Sequence, residues 1–418
     1  MDNGRLLVHF RVMDTDIIIA GGGLNGTTLA LALASAGFTA TLIDGKPRDQ
    51  RATPGFDGRS YAMAQSSCAM MQALGLWGAL ADTAQPILEI KVSDGRAGQG
   101  PSPLVLEFDH AEIEGGPMGH MVEDRHLRPA LLAALNAEAR IIQLSGQTIT
   151  AQTIGPLTAS VTLASGQTVT GALLVGCDGR GSGVAARAGI RHIGWDYGQT
   201  GMVAAITHEK PHHGIAHQFF MPEGPLAILP LTNNRSSIVW TERRAHAARI
   251  NALPDADYLD ILRPRFGDFL GDIALAGARY SYPLSLSLAR STIAPRLALC
   301  GDAAHGVHPI AGQGLNAGLK DIAALAQVLA TARRRGEDIG RADVLERYQQ
   351  WRRFDVTALA LATDTFNRLF SNDNPVLRLA RDLGLGAVNA LPGLRRTLIR
   401  EAAGLTGERP NLLRGLPL

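Results

Sequence analysis

The sequence predicts an α/β fold with three parts: a Rossmann-like domain, an inserted and mostly antiparallel β-sheet, and a helical C-terminal region. An apolar, β-branched run at 16–20 leads through a glycine-rich turn into an Ala- and Leu-rich segment with helical spacing, which indicates a strand–turn–helix unit. Short strand-like runs separated by breakers fill residues 197–240, a pattern typical of antiparallel strands. After Asp343 the apolar spacing is helical.

The first turn carries a dinucleotide-binding pattern. Gly21-Gly-Gly-Leu-Asn-Gly26 matches G-x-G-x-x-G between the first strand and the first helix. A second strand at 39–43 ends at Asp44, 18 residues after Gly26, where the pattern needs a carboxylate for a ribose hydroxyl. A tight turn that binds no ligand is the alternative, but it leaves Asp44 without a reason to end the strand.

The cofactor follows from two further observations. An acid on the ribose favours FAD or NAD over NADP, and no second G-x-G-x-x-G occurs in the chain. Another apolar run ends at Cys300-Gly301-Asp302, and a glycine-rich loop follows at 312–314. These features provide a second half-site for the far end of a long cofactor, so the sequence predicts FAD.

The segment from His308 to Asp321 carries the most specific signal. It reads His-Pro-Ile-Ala-Gly-Gln-Gly-Leu-Asn-Ala-Gly-Leu-Lys-Asp and leads into a long helix that is predicted to begin near 312–314. Free N–H groups and the positive end of the helix dipole would lie at this start, and glycine lets a flat ligand approach the backbone. This arrangement suits an isoalloxazine ring. A glycine-rich helix start with Asn316 as a local cap is the alternative.

Three blocks together resemble a known family. The blocks Gly21–Asp44, Leu173–Gly179 and Cys300–Asp321 are similar in order and chemistry to the single-component FAD-dependent aromatic monooxygenases, which have a para-hydroxybenzoate hydroxylase-like fold with a glutathione-reductase-type FAD domain. The segment 308–321 resembles the signature of the ubiquinone-biosynthesis hydroxylase branch. The likeness covers roughly residues 14 to 370.

The resemblance implies roles for individual residues. It assigns the FAD pyrophosphate and adenosine ribose to Gly21, Gly23, Gly26 and Asp44. It assigns further contacts along the cofactor to Arg59, Arg125, Asp178 and Gly179. Contacts to the ribityl side and the ring fall to Gly301, Asp302, Gly312, Gly314 and Asn316. The environment of the reacting ring is assigned to Pro309, Gly312, Gln313 and Gly314.

The resemblance also implies a reaction. It predicts hydroxylation of the aromatic ring of a polyprenylated phenol or quinol in ubiquinone biosynthesis, through a flavin C4a-hydroperoxide, with NAD(P)H or another electron donor as the reductant. The Asp178-Gly179 motif departs from the family pattern because its arginine is delayed to Arg187, so the reductant site is less well defined than the FAD site. Three alternatives stay open: hydroxylation of a soluble aromatic compound, an FAD oxidoreductase that does not activate oxygen, and a non-catalytic flavoprotein subunit of a quinone-biosynthesis complex.

Several residues near the site have two readings each. His305 and His308 flank the ring segment, and a structural role for both is favoured over a catalytic one. Trp195, Tyr197 and Phe219 are candidates for an aromatic pocket wall, with core packing as the alternative.

Composition excludes several other classes. A net charge of +2 rules out a strong nucleic-acid footprint over the whole chain. The twelve histidines form no H-E-x-x-H, so no metal site is predicted. The three widely spaced cysteines fit a reducing compartment. No apolar run reaches 18 residues, so we expect a cytoplasmic protein. Residues 351–418 hold ten Arg and six acids, which leaves peripheral contact with the inner membrane, or with a partner, as an open expectation.

The predicted domain organisation is discontinuous. The FAD-binding domain is expected at 13–85, 119–190 and 286–350, the substrate domain at 86–118 and 191–285, and the helical C-terminal region at 351–418. Residues 1–12 are interpreted as a dispensable extension.

Overall fold

The computed structural model describes residues 13–52, 55–98, 100–308, 312–370 and 384–418. The strands, numbered along the chain, are β1 (Thr15–Ala20), β2 (Ala40–Asp44), β3 (Ser60–Ala64), β4 (Gln85–Ile87), β5 (Glu89–Arg96), β6 (Gly100–Pro101), β7 (Leu106–Asp109), β8 (Gly119–Glu123), β9 (Ile141–Ser145), β10 (Ile149–Ile154), β11 (Ala159–Leu163), β12 (Thr168–Gly176), β13 (His192–His208), β14 (Ile215–Met221), β15 (Gly224–Leu231), β16 (Arg235–Arg243), β17 (Ile273–Leu275), β18 (Tyr280–Ala289), β19 (Ile293–Ala294), β20 (Leu297–Leu299) and β21 (His305–Gly306). The helices are α1 (Leu24–Ser35), α2 (Gln65–Ala73), α3 (Asp124–Ala137), α4 (Gly183–Arg187), α5 (Arg244–Asn251), α6 (Asp255–Phe266), α7 (Gln313–Arg334), α8 (Ala342–Phe370) and α9 (Pro392–Ala402). Residues 384–390 are also helical.

Parallel strands form the centre of an eight-stranded sheet. β1 pairs in parallel with β12 and β2, β2 with β9, and β12 with β20, while β10, β11 and β19 pair antiparallel at the edges. Ile17, Ile18 and Ile19 are fully buried, because this sheet is covered on both faces, as parallel sheets generally are. Parallel strands end at the same edge, so the chain leaves β1, β2, β12 and β20 towards one cleft.

The second sheet has ten strands and is nearly all antiparallel. Its main order is β21-β18-β13-β16-β15-β14-β5-β6, with β17 and β7 pairing alongside. Among the described strands of this sheet, the only parallel pair is β14 with β5. One face packs under α5 and α6, where Trp240, Tyr258 and Phe266 are buried. The opposite face borders a cavity. The predicted α/β fold with an inserted, mostly antiparallel sheet is therefore confirmed, whereas the domain boundaries stay predictions.

A small sheet and the C-terminal region join these layers. β3, β8 and β4 form a three-stranded antiparallel sheet beside the start of α7. Beyond α9, Leu412 and Leu413 are buried in the core of the first sheet's helical layer. The segment that follows α9 therefore contributes to the folded core. The extension expected at 1–12 and the residues at 371–383 lie outside the described residues.

Candidate cofactor and substrate site

The glycine-rich turn after β1 is shaped by two close approaches. A Cβ at Gly21, whose φ is +101°, would collide with the backbone oxygen of Cys177, and a Cβ at Gly26 would collide with that of Gly21. Gly23 is different, because a Cβ there would meet no atom within 4 Å. Gly21 and Gly26 are therefore required by the packing of the chain, and Gly23 leaves open space on the ligand side of the turn.

Asp44 holds this turn from the end of β2. Its Oδ2 accepts a hydrogen bond from the Gly22 N–H at 2.5 Å and its Oδ1 accepts one from the Lys46 N–H at 2.6 Å. Asp44 lines, together with Gly21, Gly22 and Gly23, a cavity of about 630 Å³ at the carboxyl ends of the parallel strands. This is where the dinucleotide pattern places the ribose carboxylate.

Arg51 is a cavity residue that sequence reasoning missed. It is 5% exposed, and none of its three guanidinium nitrogens has a hydrogen-bond partner among the described residues. The Arg51 Nη2 lies 3.8 Å from the Asp44 Oδ2. A buried guanidinium without hydrogen bonds is costly, so the chain alone leaves donors unsatisfied where a dinucleotide rich in acceptor atoms would fit. A single Arg in a loop gives no sequence signal of this kind.

Arg59 connects the two cavities of the site. It lines both the dinucleotide cavity and a second cavity of about 560 Å³, and its Nη2 lies 2.6 Å from Asp57 and 3.3 Å from Asp124. Arg125 has a different position from the one expected. It donates to Glu123 at 2.6 Å and stacks over Phe56, and it does not line the dinucleotide cavity.

The residue of α3 that lines the dinucleotide cavity is Arg128. It follows Arg125 by about one helical turn and pairs with Asp124. The sequence alone does not show whether Arg125 or Arg128 reaches the cavity, because this depends on how α3 is oriented in the fold.

Asp178 and Gly179 follow β12 and also line the dinucleotide cavity. The Asp178 carboxylate accepts from the Ser182 hydroxyl at 2.5 Å and from the Val184 N–H at 3.0 Å, so it fixes the start of α4. Gly179 has a φ of +78°. The delayed Arg187 reaches the same cavity.

The second half-site is held by a buried ionic network. The carboxylate of Asp321 accepts from the Gly301 N–H at 2.9 Å, from His305 Nε2 at 2.6 Å and from Arg352 Nε at 2.8 Å. Burial opposes ionisation of Asp321, but His305 and Arg352 outweigh it and lower the pKa of this carboxyl. Asp302, which follows the hydrogen-bonded Gly301, lines the 560 Å³ cavity. His305 therefore has the structural role that was favoured for it.

Helix α7 begins at the ring segment. Gly312 is the N-cap residue and has a φ of +63°, and a Cβ at Gly314 would meet no atom of the described residues within 4 Å. Gly312 and Gly314 both line the 560 Å³ cavity, so the first turn of α7 opens towards it. Gln313 is the first residue of this helix. The predicted site residue Pro309 lies outside the described residues.

Asn316 was predicted as a cofactor residue, but its side chain is occupied by the protein. Its Oδ1 accepts from the Ala64 N–H and the Ser67 hydroxyl, and its Nδ2 donates to the carbonyls of Ala62 and Gly312. These four hydrogen bonds use both amide hydrogens and both acceptor sites of the side chain. Asn316 therefore ties β3 to the start of α7 and supports the site indirectly.

The wall of the 560 Å³ cavity differs from the aromatic wall proposed from the sequence. Phe219 is buried in the core on the other face of the second sheet, Trp195 is 40% exposed, and Tyr197 packs edge-on against His308. None of the three lines this cavity. Its described aromatic lining residues are Tyr61, Tyr280 and Tyr282.

Comparison with known proteins identifies the family. A family model described as an FAD binding domain matches residues 14–362. Ubiquinone hydroxylase UbiL of Rhodospirillum rubrum is 45% identical over 406 residues, which cover 96% of this chain and 93% of that protein. The 3-demethoxyubiquinol 3-hydroxylase of Escherichia coli is 34% identical, with 94% of this chain and 99% of that protein covered. The chain belongs to this FAD-dependent hydroxylase family.

A solved structure shares the fold. The p-nitrophenol 4-monooxygenase PnpA from Pseudomonas putida has a TM-score of 0.78 at 17% identity, with 94% of this chain and 99% of that chain covered. Family membership confirms the predicted FAD cofactor and the predicted FAD-dependent monooxygenase class. The cradle around Gly23 and the unsatisfied donors of Arg51 fit this cofactor. The use of NAD(P)H stays a prediction.

Proposed function

We propose that this protein hydroxylates the aromatic ring of a polyprenylated phenol or quinol in ubiquinone biosynthesis. The observation that carries the proposal is the 560 Å³ cavity, which is bounded on one side by the start of α7 and on the other by the second sheet. Val203, Ala227, Leu229 and Val239 give the sheet side an apolar surface suited to a ring. The names of the relatives given above support the same substrate class.

Different residues of the chain would hold the two ends of FAD and surround the substrate ring. Gly21, Gly23 and Asp44 would hold the dinucleotide end of FAD, and Gly312 and Gly314 would border the end that faces the substrate cavity. FAD, when bound and reduced, supplies the activation of O₂ for insertion of one oxygen atom into the ring. The N–H groups at the start of α7 favour negative charge on a neighbouring ligand, and the apolar sheet excludes water from the reacting ring.

A lipid-tailed substrate is favoured over a soluble one by the surface of α9. Leu391, Leu394 and Leu398 are 55%, 44% and 37% exposed and recur at helical spacing from the N-cap into α9, a helix that also carries the exposed cations of Arg396 and Arg400. Exposed apolar side chains on a helix that also carries cations suit the surface of an anionic membrane. We therefore include peripheral membrane contact in the proposal, and a quinone-biosynthesis complex stays a predicted partner.

The experiment that tests the function combines deletion and labelling. Deleting the gene should cause one quinone intermediate that lacks a ring hydroxyl to accumulate. Purified protein supplied with FAD, a reductant and ¹⁸O₂ should convert that lipid to a product heavier by one labelled oxygen. Mass spectrometry identifies both the substrate and the ring position. Normal quinone content in the deletion strain, or a product without the label, would contradict the proposal.

Two matched variants sharpen this experiment. Gly314 and Gly393 are each the second residue of a helix, and a Cβ at either would meet no atom within 4 Å. We expect Gly314→Val to abolish complementation because its side chain enters the space at the start of α7. Gly393→Val should complement like the wild type.

A further inference from the structure

One row of side chains forms the sheet side of the substrate cavity. Across five neighbouring strands the register aligns Gln218 with Ala227, Ala227 with Val239, Val239 with Val203, and Val203 with Tyr280. Directly opposed residues of antiparallel strands point to the same face, and all five line the cavity. The three central side chains are small and apolar, and the two outer ones carry polar groups.

Gln218 has an unsatisfied donor in this row. Its Nε2 is buried and has no hydrogen-bond partner among the described residues. Leaving a buried amide donor without a partner costs on the order of 1–3 kcal/mol, and such groups are rare in folded proteins. A cavity wall is a place where a ligand can satisfy the donor.

The remaining polar groups of the cavity either lie outside the sheet wall or are hydroxyls that can both donate and accept. Arg180 lies 3.5 Å from Asp302. These two residues and Arg59 line the part of the cavity that lies outside the second sheet. The hydroxyls of Ser237 and Tyr282 can rotate to donate or accept. Among the described lining residues, no carboxylate or imidazole lies on the sheet side. The Gln218 amide therefore presents a buried donor without a partner among the described residues, next to three small apolar side chains.

We propose that Gln218 donates from Nε2 to an oxygen substituent on the substrate ring, and that this hydrogen bond determines which ring carbon faces the cofactor. The ligand class is an aromatic ring with an acceptor oxygen, such as a phenol or its methyl ether. The inference rests on the proposed function, because it requires an aromatic ring in this cavity. Gln218 thus acts as a specificity-determining residue.

The test compares Gln218 with its neighbour on the strand. His217 is next to Gln218 but points to the opposite face, where it lines a separate cavity of about 260 Å³. The FAD-loaded wild type, Gln218→Leu, Gln218→Met and His217→Leu are titrated with 2-decylphenol, 2-decylanisole and decylbenzene, and binding is followed by the flavin absorbance. In single turnovers of reduced enzyme with O₂, product isomers and hydrogen peroxide are measured.

We expect both Gln218 variants to bind the two oxygenated rings about three- to tenfold more weakly than the wild type, the range expected for one neutral hydrogen bond. Their affinity for decylbenzene should not change. Turnover of 2-decylphenol should yield a different isomer ratio and more hydrogen peroxide. His217→Leu should match the wild type in every measurement.

The possible outcomes separate the two proposals. If the wild type binds and hydroxylates 2-decylphenol but the Gln218 variants match His217→Leu, the role of Gln218 is wrong and the proposed function stands. If both Gln218 variants lose FAD or melt early, Gln218 is a structural residue and the inference is overturned. If the wild type neither binds nor hydroxylates any oxygenated ring, the proposed function fails and the inference fails with it.

Discussion

Arg51 combines deep burial with an incomplete set of partners. Its guanidinium has one carboxylate neighbour, Asp44, at 3.8 Å, and no hydrogen bond among the described residues. Burial lowers the pKa of Arg51, and Asp44 opposes this. This geometry suits an arginine whose hydrogen-bond donors gain partners when the cofactor binds.

Replacement of Arg51 should therefore affect FAD more than folding. In Arg51→Met we expect the FAD dissociation constant to rise about 10- to 100-fold, the range for hydrogen bonds to a charged group, while the melting temperature of the FAD-free protein stays the same or rises. Fluorescence titration with FAD and thermal melts measure the two effects. The exposed Arg48 provides the control Arg48→Met, and equal affinities in the two variants would contradict the role of Arg51.

His308 is a second buried polar residue, and it makes stability depend on pH. Burial, assisted by Arg180, lowers the pKa of His308 to about 4. Its ring is 1% exposed, and neither nitrogen has a hydrogen-bond partner among the described residues. The unfolded chain takes up the proton near pH 6.5, so acid favours the unfolded state between that pH and about 4.

We expect the free energy of unfolding to fall across this window, with His308 contributing up to about 3 kcal/mol. Urea unfolding at a series of pH values should give a shallower slope for His308→Leu than for the wild type. Burial also lowers the pKa of His217 to about 4, so part of the slope remains in that variant. His213, which is exposed and has a positive φ, gives the control His213→Asn; a wild-type slope in His308→Leu would contradict the prediction.

Local sequence spacing predicted some of these residues but not others. Asp44 could be found because its distance from Gly26 follows from the length of one helix and one strand. Arg51 and Gln218 could not, because their importance depends on burial and on which sheet face meets the cavity. The alternation in β14 separates Gln218 from His217 and Phe219, but it does not say which face meets the cavity.

The turn between β1 and α1 contains two glycines with different roles. Gly26→Ala should lower the melting temperature by several degrees, because its Cβ would collide with the backbone of Gly21. Gly23→Ala should leave the melting temperature of the FAD-free protein nearly unchanged and weaken FAD binding, because its Cβ points into open space. Melts without FAD and titrations with FAD distinguish the two variants. Equal melting temperatures would show that the packing argument is wrong.

The regular elements were predicted well where their residues are continuous in sequence. α1 and α7 begin close to the glycine-rich starts predicted for them, at Leu24 and Gln313. The antiparallel strands were recognised, but the pairing of β14 with β5, which are far apart in sequence, was not predicted. Pairing of distant strands depends on tertiary packing, which short-range patterns do not contain.

The C-terminal region both completes the core and presents the exposed apolar side chains of α9. Deleting this region would remove the buried Ile399, Leu412 and Leu413 and would therefore damage the fold. Point substitutions test membrane contact more cleanly. Leu394→Glu combined with Leu398→Glu should remove most co-sedimentation with vesicles containing anionic lipid, and added salt should weaken the wild type's binding.

The control for this experiment is a second exposed apolar pair. Leu157 and Ile154 are 66% and 36% exposed on the β10–β11 hairpin, and their double Glu variant should bind vesicles like the wild type. Equal binding by both double variants would contradict a membrane role for α9. Among the described residues, no helix is long and apolar enough to cross a bilayer.

The two large sheets line different parts of the candidate site. The strand ends of the first sheet contribute the dinucleotide cavity, and the row from Gln218 to Tyr280 lies on the second sheet. Substitutions along that row would alter the surface that an incoming ring meets and would leave the residues of the dinucleotide cavity unchanged. A protein of this design can acquire a new substrate through a few codon changes at positions that are distant in sequence but adjacent on the sheet, while its redox machinery is inherited unaltered.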